Sequence, residues 1–270
     1  MDIRLLGFSA IILYLAAASR FAVKVFRGAG GVTVTKTETF GLGILAIVMH
    51  GMVLYQAIMT SAGMNLGVFN AASLISWLAV LMILTVSFVK PVENLAIALL
   101  PFSALTLGLG MLFPSAHWLP VDAPWGLQIH ILLSLLAYCL LGLAALLAAM
   151  LALEDHWLRN RRPLRAIHSL PPLQILENLM FLLIATGFFL LSLSLLSGLT
   201  FLDDIFGQHL VHKTVLSVVA WIVFAVLLWG RYQFGWRGRR AIRYTFGGFL
   251  TLMLAYFGSK VVLELILHRV

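Results

Sequence analysis

LQIHILLSLLAYCLLGLAALLAAMLALE, residues 127–154, decides the fold. From Ile131 to Leu153 it carries no charged side chain, and a helix needs only about 20 predominantly apolar residues to cross the hydrocarbon core of a bilayer. In lipid such a run must be helical, because every backbone N–H and C=O has to be satisfied inside the segment. The rest of the chain has the same character: 62% of its 270 residues are hydrophobic and 10% charged, against about a quarter charged in a soluble domain.

Working outward from that stretch, apolar runs place spans at about 3–26, 39–62, 69–89, 93–113, 126–152, 174–198, 210–232 and 242–266. Eight spans use about 160 residues and leave room for short connections only. The expected fold is an all-α polytopic membrane protein, a bundle of about eight transmembrane helices with short loops. Residues 1–270 then form a single integral membrane domain. Pro101 predicts a kink in the fourth span. Neither an internal repeat nor an interdomain linker is visible.

The formal net charge is +8, but a nucleic-acid binder needs a basic face on a soluble module, and none is present. The cations sit instead in connections after odd-numbered spans. Arg20, Lys24, Arg27 and Lys36 follow the first and Lys90 the third; Arg159, Arg161, Arg162 and Arg165 follow the fifth, and Arg231, Arg237, Arg239, Arg240 and Arg243 the seventh. That is fourteen of the eighteen Lys and Arg residues, which by the positive-inside rule places both termini outside, in the periplasm or its equivalent. The first span resembles a signal peptide at Ala16–Ser19, yet its positive charges follow the apolar stretch instead of preceding it, so a retained helix is expected. Cys139 is the only cysteine, which excludes an intramolecular disulfide and covalent haem attachment through CxxCH.

This topology sorts the eight histidines. His117, His130, His209, His212 and His268 fall on the outer side, His156 and His168 in the inner loop, and His50 near mid-membrane. Imidazole is a common haem-iron ligand, and two helices presenting histidines at one depth can hold a porphyrin. His130 and His212 meet that depth condition. The plainer alternative for each is an interfacial histidine wetted by headgroups. His50, buried in lipid, is either an internal ligand, part of a polar relay, or a neutral histidine bonded between helices. Asn70, Ser73 and Ser76, beside Trp77, line a polar pocket or make interhelical hydrogen bonds. Lys260 and Glu264 are spaced to pair with each other. Trp118, Trp125, Phe201 and Phe206 suit an outer aromatic belt, or a platform for a flat ring. Trp236 among Arg237, Arg239 and Arg240 reads as a belt residue beside charges facing anionic lipid. The chain has no GxxxxGK[ST], HExxH or GxSxG motif, so an enzyme with its own chemical step is not expected.

The stretch at 127–154, with LSGLTFLDD, HKTVLSVVAWIVFAVLLWGRYQFGWRGRRA and LAYFGSK in the C-terminal third, resembles the cytochrome c assembly protein family of the CcsA/CcmC type. NAASLISWL at 70–78 and LPPLQILENLMF at 170–181 add a likeness to its short YpjD-like branch. The resemblance implies a protein of the bacterial inner membrane that handles haem at the outer face for cytochrome c biogenesis. It also implies external histidines flanking a tryptophan-rich WWD segment. His130 matches the external histidine before the long fifth helix, and His268 sits roughly where the second would fall. Where the family has WWD, this chain has FLDDIFGQHLVHKT at 201–214, without tryptophan.

The leading expectation is therefore non-covalent haem b held by His130 with His212 or His268 as iron ligands, and His50 as a second-site or relay residue. Expected partners are the lipid bilayer and other haem-handling or transport membrane proteins, with no nucleic acid. The rivals are a haem-free accessory subunit of another membrane protein, such as a metal-ion transporter, and a small-solute transporter using Asn70, His50 and Lys260.

Overall fold

The structure, a computed structural model, describes residues 2–27, 36–60, 63–89, 92–113, 118–119, 124–159, 173–201 and 211–258. Among them run eight α-helices. They are α1 (Ile3–Arg27), α2 (Lys36–Ile58), α3 (Val68–Val86), α4 (Ala96–Leu112), α5 (Trp125–Arg159), α6 (Leu173–Phe201), α7 (Val211–Phe234) and α8 (Arg239–Met253). Six of them, α1, α2, α3, α5, α6 and α7, are long and apolar enough to cross a membrane. α4 is shorter and is led by a 3-10 turn at Glu93–Leu95, and α8 runs on through a π-helical turn to Gly258. The chain is an all-α polytopic membrane protein.

Two details differ from the hydropathy reading. α5 extends to Arg159 because Asp155 and Arg159, one turn apart, pair at 2.9 Å, a helix-favouring arrangement that apolar periodicity does not register. A small antiparallel sheet also joins β1 (Met59–Thr60), β2 (Gly63–Asn65) and β3 (Trp118–Leu119) in that order, with Met59 opposite Met64 and Asn65 opposite Trp118. Gly63 has φ 124°, which L side chains rarely adopt, and its carbonyl accepts a 2.7 Å bond from the Thr60 hydroxyl.

The helices gather into two compact units, α1–α4 in the first and α5–α8 in the second. In the first, α1 buries Leu6, Ala10, Tyr14 and Ala17 while Leu5, Phe8, Ile12 and Leu15 face outward. A helix apolar on both faces is at home only in lipid. Lipid tails are as apolar as leucine, so close packing and interhelical hydrogen bonds hold such helices together. In the second unit α5 packs along α6 and against α8, and α7 packs on α8. Gly187 of α6 permits the α5–α6 approach, since a Cβ there would lie 2.8 Å from Cγ of Leu141. The Tyr138 hydroxyl donates to the Leu252 carbonyl at 3.0 Å and ties α5 to α8.

Candidate functional site

Among the described residues, His50 in the first unit and His130 in the second are bonded to side chains or carbonyls of their own unit's helices, and the two are held differently. His50 of α2 is fully buried. Its Nδ1 lies 3.0 Å from the Tyr14 hydroxyl of α1 and its Nε2 2.8 Å from Oγ of Ser73 on α3. The chain of bonds continues: Ser76 Oγ lies 2.8 Å from Thr106 Oγ1 of α4, and Ser103 Oγ donates to the Ser76 carbonyl at 3.2 Å. One polar thread therefore links all four helices of the first unit. With both ring nitrogens committed, His50 has no lone pair to offer iron in this arrangement. Ser73 and Ser76 make interhelical bonds, Asn70 Nδ2 donates to the Asn65 carbonyl at 3.3 Å, and Trp77 Nε1 donates to the Ile47 carbonyl at 2.8 Å. Of the two readings offered for this stretch, the structure displays the hydrogen-bonded one.

His130 stands in the second turn of α5 and is half-buried. Its Nδ1 lies 2.8 Å from the Ser194 carbonyl oxygen of α6 and 3.2 Å from Ser197 Oγ. A carbonyl can only accept, so Nδ1 carries the proton and donates it. In the neutral ring Nε2 is then the nitrogen with the lone pair. Metal-ligating histidines are commonly oriented in this way, with the far ring N–H given to a carbonyl that fixes tautomer and ring angle. Ser197 Oγ also donates to the Ser194 carbonyl at 2.8 Å, so His130 and Ser197 converge on one oxygen.

Ser194 and Ser197 were missed from sequence. The signal available was the run SLSLLSGLT at 192–200, small polar residues inside an otherwise apolar helix. The same run also faces α7, where Trp221 Nε1 donates to Ser192 Oγ at 2.8 Å and the Trp221 ring stacks on Phe188. α6 thus clasps α5 on one side and α7 on the other.

His212 lies in the first turn of α7, and His156 is exposed near the opposite end of α5. His117, His168, His209, His268, Lys260, Glu264 and most of the segment 201–214 lie outside the described residues. Among the described residues no three of His, Cys, Asp or Glu gather into a cage for a bare metal ion. Haem makes a smaller demand, one imidazole on a given face of the ring, and the oriented His130 fits it.

The sequence model described as "Cytochrome C assembly protein" matches residues 40–267. The chain belongs to the cytochrome c assembly protein family. It is 39% identical over 229 residues to the inner membrane protein YpjD of Escherichia coli strain K12, covering 83% of this chain and 85% of that one. An uncharacterized 28.8 kDa protein of Azospirillum brasilense is 33% identical over 143 residues, 52% of this chain and 53% of that protein. The cytochrome c biogenesis protein CcsA of Mesostigma viride is 32% identical over 91 residues, 33% of this chain and 30% of that protein. No solved structure matches. The family match takes in both histidines, so His50 and His130 belong to the shared part of the chain.

Proposed function

We propose that this member of the family binds b-type haem non-covalently beside α5 and α6 and serves cytochrome c biogenesis as a haem-handling protein of the inner membrane. The observation that carries the reading is the 2.8 Å bond from His130 Nδ1 to the Ser194 carbonyl. It commits the proton to one nitrogen and leaves the other, on a half-exposed ring, as the donor atom for iron. His212 or His268 would supply a second ligand. Bound there, haem would contribute its iron as an acceptor of imidazole nitrogen and a carrier of one electron, while the chain contributes orientation and an apolar surround. Family membership supports the assignment to cytochrome c biogenesis, and the YpjD relative supports the inner membrane.

The arginine-rich connections support an orientation in which the His130 end of α5 faces outward and the Arg159 end inward. A cysteine introduced at Asp203 would then react with an impermeant thiol reagent in intact cells. The native thiol, Cys139, is buried and gives little background. Absence of labelling would invert the topology.

The function itself is tested by the reduced-minus-oxidised absorption spectrum of protein purified from haem-replete cells. Soret and α bands are expected. Their absence would remove the haem reading and leave the accessory-subunit alternative.

A further inference from the structure

We propose that the turn between α7 and α8 is a binding site for the phosphate of an anionic membrane phospholipid. The inference is independent of haem and rests on the second unit alone.

α7 ends in a ring of aromatic side chains that protein does not cover: Trp229, Tyr232 and Phe234 are 63%, 87% and 68% exposed. Aromatic residues so placed at the end of a membrane helix lie at headgroup level. The turn beyond them is stiff. Gly235 and Gly238 have φ 62° and 56°, and between them Trp236 folds back so that its indole covers Gly230, where any Cβ would collide with the ring. The Trp236 N–H donates to the Gly230 carbonyl at 3.1 Å and its carbonyl accepts from Arg231 Nη1 at 3.2 Å. The indole also packs against Tyr244 of α8.

Six cations meet at this end of the second unit: Arg159, Arg231, Arg237, Arg239, Arg240 and Arg243. Asp155 takes Arg159 and Arg239 at 2.9 and 3.0 Å, and Glu177 takes Arg231 at 3.4 Å. Arg237, Arg240 and Arg243 are exposed and have no acidic partner among the described residues. They lie on and just after the stiff turn, with Arg240 and Arg243 one helical turn apart. All six are arginine, whereas the α1–α2 connection mixes Arg20 and Arg27 with Lys24 and Lys36. The positive-inside rule counts the two residue types alike. The guanidinium fork, by contrast, matches a phosphate through two parallel hydrogen bonds, which an ammonium cannot do. A charge-only role would not select arginine at all three of the positions without an acidic partner; a phosphate site would.

The test uses the full chain, delipidated in detergent, with the melting midpoint followed as phosphatidylglycerol or phosphatidylcholine is added. Phosphatidylglycerol should raise the wild-type midpoint and phosphatidylcholine should not. The combined variant Arg237→Lys, Arg240→Lys, Arg243→Lys keeps every charge and should need about tenfold more phosphatidylglycerol for the same rise, one lost bidentate contact's worth. The corresponding triple Gln variant should show no rise. If the Gln variant fails to insert, the Lys variant carries the test alone. A Lys variant that responds like wild type overturns the site. So does an equal response to phosphatidylcholine, or a rise reproduced by inorganic phosphate alone at the same concentration.

Discussion

His50 in the first unit and His130 in the second are each bonded between helices, and the contrast lies in what remains of the imidazole afterwards. In the first, Tyr14 and Ser73 occupy both nitrogens of His50, and the residue acts as a knot joining α1, α2 and α3. In the second, a backbone carbonyl occupies only Nδ1 of His130. A carbonyl partner is a stricter orienting group than a hydroxyl, because it cannot reverse the direction of the bond. The same side chain is thus structural in one setting and available for a ligand in the other, and neither sequence position alone announces which.

The largest effect that would sharpen this contrast is on stability. His50→Phe leaves the Tyr14 hydroxyl and Ser73 without their partner in an apolar interior, where each orphaned group costs about 1–3 kcal/mol. Its unfolding midpoint in mild detergent should fall well below that of His130→Phe. Equal midpoints would deny that His50 is the structural knot.

A smaller effect is expected at Ser197. Removing its hydroxyl in Ser197→Ala takes away one bond to the Ser194 carbonyl and one contact to His130, worth about 0.5–1.5 kcal/mol. The folded protein should keep its haem bands with a shifted maximum or midpoint potential. No shift in either would show that Ser197 does not position the ring. The smallest effect is expected at His156, exposed near the far end of α5, where His156→Ala should leave both spectrum and melting unchanged.

Much of this architecture was legible in the sequence for physical reasons. Apolar length marks a membrane span, and the expected span at 126–152 became α5 at Trp125–Arg159. The seven residues added beyond Ala152 include Glu154, Asp155 and Arg159, whose charges lower hydropathy and so end an apolar span without ending the helix. The three strands escaped because two or three residues cannot display an alternation. At the site, His130 was legible from its place at the start of the long helix. Its partner was not, because Ser194 contributes a main-chain oxygen that any residue would carry. His50 was legible as unusual and illegible as a knot, since Tyr14 lies 36 residues away in the chain.

The central claim, that His130 and not His50 offers a nitrogen to haem iron, is tested most directly by reduced-minus-oxidised spectra of wild type, His130→Ala and His50→Gln. The three are prepared alike and normalised to folded protein. The account predicts haem bands in wild type and in His50→Gln, with bleaching or a marked shift confined to His130→Ala. Bands unchanged in His130→Ala, or lost only in His50→Gln, would contradict it.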